Sequence, residues 1–409
     1  MALPELLVPA GDFERLQFAV QYGADAVYLG TEHYGMRAGA ANFKLENLAK
    51  AFETAHKSGV RVYLTCNTLP RNDEMDNLPE FLREIGKCGV DAVIASDIGV
   101  LSLIKKILPD MEIHISTQAG VVNYQTAAAF YEMGAKRVVL ARELTLEEIK
   151  TIRDKTPQEL EIEVFVHGAM CVSFSGRCLL SDYFVGRDAN RGECAQPCRW
   201  GYHLVEEKRL NEPYIIEEDE KGTYILNAKD LCMIEHIKEL ADAGISSFKI
   251  EGRAKSFYYA AIITNAYRQA MDDYAKGRPM SKWLKEEVQK VSHREYCTGF
   301  FFGKPDNAQY YDGSGYIREF DVTAVVESSQ DKNLNCEQRN KFNKGDELEL
   351  VSPGKPPVQL NVNRIFDIDG NEIQTANKAM MKCAVDYTVV NHAGEVTPVA
   401  GSILRKAVI

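Results

Sequence analysis

The 409-residue sequence has no run of about 18 consecutive apolar residues, so no transmembrane helix is expected. Its opening, MALPELLVPAGDFERL, lacks the basic n-region and long apolar core of a secretory leader. Both absences predict a cytoplasmic protein without a membrane partner. Positive charge is in deficit as well. Forty-eight Lys and Arg against 59 Asp and Glu leave a net charge of −11, which excludes a whole-surface attraction to polyanions and obliges any nucleic-acid partner to use a local basic patch. The H-E-x-x-H zinc motif, the G-x-S-x-G nucleophile elbow and the Walker phosphate loop are all missing. After the first apolar run, VPAGDFERL supplies one Gly where a dinucleotide fingerprint needs three, which weakens a doubly wound open sheet.

What is present is the composition of a packed enzyme-sized protein, 45% apolar and 26% charged. The length predicts two or three domains, or one barrel with an appendage. A unit recurs through the first two thirds: an amphipathic helical stretch, a Gly able to end it left-handed, then a short β-branched run. Gly23 leads into DAVYLG, Gly59 into RVYLTCN, Gly89 into DAVIASD, Gly134 into KRVVLAR and Gly244 into SSFKIEGR. Nearly continuous apolar strands alternating with helices are expected when every strand is parallel and buried on both faces. Strands near 5–11, 25–30, 61–67, 91–97, 112–118, 136–142, 161–167 and 246–251 predict an α/β fold, a (β/α)8 TIM-like barrel over residues 1–278.

Between the seventh and eighth strands lies an insertion, residues 170–230, too long for an ordinary βα connection. Its second half, YHLVEEKRL followed by EPYIIEEDEKGTYILNAKD, alternates and predicts a β-hairpin or small sheet. The texture changes near Gly277–Pro279. A helical connector is expected over 279–298, and the short alternating runs of 299–409 predict a small β-barrel domain.

Five of the ten cysteines crowd into 62 residues: Cys171, Cys178, Cys194 and Cys198 lie in that insertion and Cys232 just beyond it. In a reducing compartment a disulfide framework is not expected. Four thiolates can hold an iron–sulfur cluster or a structural zinc, although the C-x2-C pairs of zinc ribbons are absent; buried free thiols are the third reading. In a TIM-like barrel the insertion leaves from the C-terminal face, where active sites lie. Asn67, Asp97, Gln118, Glu143, His167, Glu251 and Arg253 stand at strand ends and are expected to face the same mouth. His167 is a candidate proton carrier and Arg253 a carboxylate or phosphate clamp. Arg177, Arg187, Arg191 and Arg199, with Tyr183, Phe184 and Trp200, supply either an RNA-binding patch or a solvated loop in which Asp182, Asp188 and Glu193 pair with the arginines.

EVFVHGAMCVSFSGRCLLS, from Glu163 to Ser181, closely resembles the signature of the collagenase-like peptidases of unknown-type family U thirty-two, and NRGECAQPCR and ILNAKDLC match two further blocks. The resemblance spans essentially the whole chain. It implies an iron–sulfur hydroxylation protein that works without molecular oxygen on RNA or a ubiquinone precursor, with prephenate as oxygen source. Length and the C-terminal β-domain place the chain nearest the branch that makes 5-hydroxyuridine at the tRNA wobble position. By motif position, the resemblance implies a 4Fe-4S cluster on Cys171, Cys178, Cys194 and Cys232, with Cys198 as a spare that can exchange with Cys194. A small carboxylate co-substrate is then expected at the mouth near His167 and Arg253, alongside Asn67, Gln118 and Glu251. The peptidase name implies proteolysis as the alternative, yet no convincing proteolytic site accompanies it.

Overall fold

A computed structural model of the chain describes residues 3–36, 42–171, 178, 180–200, 218–219, 222–223, 228–303, 316–330, 333–390, 396 and 398–408. Six βα units and a seventh strand begin the chain: β1 (Glu5–Pro9), α1 (Phe13–Gln21), β2 (Ala26–Gly30), α2 (Leu45–His56), β3 (Arg61–Cys66), α3 (Asn72–Met75), α4 (Leu78–Lys87), β4 (Ala92–Ala95), α5 (Ile98–Ile107), β5 (Glu112–Ile115), α6 (Tyr124–Glu132), β6 (Arg137–Val139), α7 (Leu146–Asp154) and β7 (Glu161–Ala169). The insertion follows, with α8 (Leu180–Val185) and β8 (Asp230–Cys232). The chain then continues through α9 (Ile237–Asp242), β9 (Ser247–Ile250), α10 (Phe257–Ala275), α11 (Trp283–Gln289) and β10 (Tyr296–Cys297).

Strands β1 to β7 pair in order and in parallel, and β9 pairs in parallel with both β1 and β7, which closes an eight-stranded barrel. The expected TIM-like architecture is therefore present. Helix starts are set by side chains that take up the first unpaired N–H groups. Asp12 caps α1 through Arg15 N, and Thr145 forms a capping box with Glu148 at α7. The five glycines of the recurring unit adopt φ between +73° and +105°, a region that L side chains resist, so each ends its helix and sends the chain into the next strand.

Two short strands were not legible in the period. β8 runs antiparallel along the upper part of β7, and β10 pairs with β8, extending the sheet outside the barrel. The hairpin expected in the second half of the insertion lies mostly outside the described residues; Glu218–Asp219 and Gly222–Thr223 do pair antiparallel.

The C-terminal domain is a closed antiparallel barrel. β11 (Phe320–Gln330), β12 (Asn333–Gln338), β13 (Glu347–Val351), β14 (Val358–Phe366), β15 (Lys382–Val390) and β16 (Ile403–Ala407) pair in the circular order 13-16-11-12-15-14. It docks on the helical layer of the first barrel through polar groups buried in pairs. Arg405 is fully buried and donates to both oxygens of Glu287 at 2.7 and 2.8 Å, to Glu349 at 2.6 Å and to the Tyr258 hydroxyl at 3.1 Å. Tyr22, the C-cap of α1, donates to the carbonyls of Val351 and Gly401, and Gly354 N donates to Asn265 on α10.

Removing one member of a buried charge cluster strands the others. Arg405→Met should therefore cost about 3–5 kcal/mol in urea denaturation. A cost near that of a surface substitution would mean that the two domains do not depend on this contact.

Candidate functional site at the barrel mouth

A cavity of about 360 Å³ opens at the C-terminal ends of the strands, within the size range of small-molecule sites. Its walls combine Tyr28, Ile94, Val139 and Phe165 with Asn67, Ser116, Gln118, Glu143, Glu251 and Arg253. Cys171, Cys178, Cys194 and Cys198 line it from the insertion. Among the described residues the lining carries four cations, Arg142, Arg187, Lys249 and Arg253, and two carboxylates, Glu143 and Glu251.

Arg253 is 3% exposed and donates to Thr65 Oγ1 at 3.0 Å and Asn42 Oδ1 at 2.7 Å. Gly30 makes room for it. A Cβ at Gly30 would stand 2.5 Å from the Arg253 Nη1 and 2.8 Å from Thr65 Oγ1. Asn67 donates to Ser116 Oγ at 3.1 Å and accepts from Met36 N. Gln118 donates to Asn190 Oδ1 at 3.2 Å, and Asn190 in turn donates to the Cys178 carbonyl at 3.3 Å, tying the Cys-rich insertion to the barrel rim. Glu251 accepts from the Tyr28 hydroxyl at 3.2 Å.

Two residues expected at the mouth are elsewhere. Asp97 caps α5, accepting from Val100 N, and does not line the cavity. His167 is 1% exposed and also absent from the lining. Strict alternation from Glu163 and Phe165 would aim it inward. A β-bulge intervenes: Phe165 lies opposite Lys249 but His167 opposite Ile250, so β7 spends an extra residue at Val166 and reverses its faces. Gly168 permits the tight approach that follows, since at φ +107° a Cβ there would meet the Glu251 carbonyl at 2.3 Å. His167 consequently points outward into a cage of Tyr259, Tyr267 and Tyr296, 3.3 Å from the hydroxyls of Tyr267 and Tyr296. Burial drives its pKa down to about 3, helped by His293 and Lys255, so the ring is neutral at physiological pH.

Cys232 follows the same outward side. It lies opposite His167 in the β7–β8 ladder, 4.0 Å from the Tyr267 hydroxyl, and is not part of the cavity lining. Burial pushes its thiol up to about 11. The donor chemistry at the mouth, soft thiols from one insertion, suits a cluster or zinc. As the side chains stand, no three His, Cys, Asp or Glu among the described residues converge closely enough to hold a metal ion. Arg187 lines the cavity, while Phe184 and Trp200 are exposed on the insertion. Arg191 is engaged with Glu74. Arg177 and the side chains of Tyr183 and Arg199 lie outside the described residues.

Sequence reasoning missed Lys249 and Arg142. Lys249 precedes Glu251 by two in KIEGR, so the period-2 rule already placed both on one face. Arg142 stacks over the Phe165 ring at 4.0 Å and donates to the Ala169 carbonyl, contacts with no sequence signature.

A closed barrel whose thiols and cations collect in one cavity at the C-terminal face has the arrangement in which TIM-like barrels hold their active sites. Residues 11–310 match the model of Peptidase family U32, and residues 318–397 match the Peptidase family U32 C-terminal domain. The chain belongs to this family. It is 38% identical over 387 residues to "tRNA hydroxylation protein P1" of Bacillus subtilis, covering 91% of this chain and 89% of that protein. It is 38% identical over 416 residues to "tRNA hydroxylation protein P" of Escherichia coli, covering 89% and 88% respectively. A "Collagenase" of Porphyromonas gingivalis is 32% identical over 401 residues, covering 92% of both chains. No helix among the described residues is long and apolar enough to cross a membrane.

The tight seat of Arg253 gives a direct test. Gly30→Ala should displace the guanidinium from Thr65 in a crystal structure and cost about 1–3 kcal/mol by urea denaturation, the usual penalty for overpacking. An unmoved Arg253 would mean that the cradle yields elsewhere.

Proposed function

We propose that this protein is an RNA-modifying enzyme that hydroxylates C5 of the tRNA wobble uridine without molecular oxygen, using prephenate as oxygen donor. The observation that carries this reading is the near full-length relationship to proteins named for tRNA hydroxylation, joined to a single cavity where thiols and cations meet.

The cationic surplus of the lining favours an anionic co-substrate, and Tyr28 and Phe165 offer apolar surface to a ring. Arg253, held by Thr65 and Asn42, presents a fixed fork for a carboxylate. Exposed Phe184 and Trp200 with Arg187 at the rim provide stacking surface and positive charge for an extruded base, despite the overall charge of −11. Cys171, Cys178 and Cys194 would hold a 4Fe-4S cluster with a fourth thiolate. Motif position favours Cys232 for that place, and the cavity lining favours Cys198. Such a cluster supplies redox capacity or Lewis acidity at the mouth.

The collagenase-named relative keeps proteolysis as the second reading. A Cys–His nucleophile pair would need His167 beside Cys171 or Cys178. Instead His167 is enclosed by tyrosines, and no histidine is found among the described lining residues.

Deleting the gene together with any oxygen-dependent enzyme of the same specificity should abolish wobble 5-hydroxyuridine derivatives in tRNA mass spectrometry. Persistence of the modification sinks the proposal, as does gelatin cleavage by pure protein that survives the combined Cys171→Ala and Cys178→Ala change. Anaerobic purification should yield about four iron and four sulfide per chain. Loss of both in Cys232→Ala but not in Cys198→Ala assigns the fourth ligand, and the reverse result assigns it to Cys198. A zinc-only preparation removes the redox reading.

A further inference from the structure

The interior of this barrel is not filled in the usual way. Branched apolar side chains normally pack it, but here a stack of opposite charges rises along its axis. At the bottom, Arg137 donates to Glu5 at 2.6 Å and to Glu161 at 2.6 and 2.8 Å. The same guanidinium reaches Glu163 at 3.0 Å, and Lys249 caps Glu163 from above at 2.7 Å. Glu163 is wholly buried and Lys249 only 5% exposed. Signs alternate upward as carboxylates, guanidinium, carboxylate and ammonium, and the last member lines the mouth cavity. The ammonium also stands against the faces of Tyr28 at 4.5 Å and Phe165 at 5.5 Å.

An ammonium with three N–H donors and a single oxygen acceptor, buried beneath a cavity, leaves the next position in the alternation to an anion. We infer that Lys249 is a substrate-binding residue whose ammonium receives a carboxylate of the small-acid co-substrate at the cavity floor, with Glu163 as the positioning residue that fixes it between the two rings. The inference rests on the proposed use of an acidic co-substrate and adds the group that anchors it. The rings of Tyr28 and Phe165 beside the ammonium direct the acid's apolar part against them, so the site selects a carboxylate carried on a ring or short apolar stem.

Prephenate binding to the anaerobically purified full-length protein, measured by isothermal titration, tests this. Lys249→Met should weaken binding about ten- to a hundredfold, the weight of a charge-assisted hydrogen bond in a closed site, and Lys249→Arg should restore part of it. Lys249→Met leaves Glu163 short of a partner and could fail to fold, so the double change with Glu163→Gln, which removes both charges, is measured beside it. A purely structural lysine would lower the thermal transition of these variants yet leave the affinity of the folded protein unchanged. Unchanged affinity in either folded variant therefore overturns the inference alone. Absence of prephenate binding by the unsubstituted protein overturns the donor reading beneath it, and the inference with it.

Discussion

Glu163 is the constraint around which the barrel is organised. Burial by itself would raise its pKa, yet the cations of Lys249 and Arg137 hold it down at about 2, so it stays ionised with no access to water. A buried carboxylate is tolerated only when its partners stand in good geometry, and removing one partner costs about 3–5 kcal/mol. Arg137 comes from β6, Lys249 from β9 and Glu5 from β1, so satisfying one carboxylate fixes the relative height of strands that meet only when the barrel closes. Closure and charge pairing are thus one condition. The register of β9 against β7, Ser247 opposite Glu163 and Lys249 opposite Phe165, is the one that brings the ammonium over the acid.

The same pair of strands then breaks its alternation. Above Phe165 the bulge at Val166 turns His167 and, through the antiparallel β8, Cys232 toward the tyrosines of α10 and β10. Below it, Glu163 and Phe165 face the interior with Lys249. The inner floor of the mouth and the aromatic layer behind it are therefore built from neighbouring residues of one strand. Gly168 is required at this place because two backbones approach there more closely than any Cβ allows.

Away from the mouth, the second barrel is fastened by a cluster of related design. Arg405 brings β16 onto Glu287 of α11 and Glu349 of β13, and the Tyr258 hydroxyl of α10 completes its acceptors. In both places the fold joins distant segments through a buried arginine that engages more than one carboxylate, a task suited to a planar five-donor group. Val322, Val351 and Ile403 of the small barrel pack into the same core as α1 and α10, so apolar contact accompanies the ion cluster at this junction.

By itself the sequence determined the serial βα pattern, the TIM-like barrel, the insertion after the seventh strand and the C-terminal β-barrel. Each of these follows from local rules: helical and strand periods, left-handed glycines and turn residues act within a few positions of one another. Local spacing also located Asn67, Gln118, Glu143, Glu251 and Arg253 at the mouth, because a residue just beyond a barrel strand can hardly be anywhere else. Only the tertiary structure decided which way His167 and Cys232 point, since a one-residue bulge reverses every face beyond it and leaves no mark on composition. It alone also gathered Glu5, Arg137, Glu163 and Lys249 into one stack, as these lie up to 244 positions apart (249 − 5) and meet only when the eighth strand closes on the first.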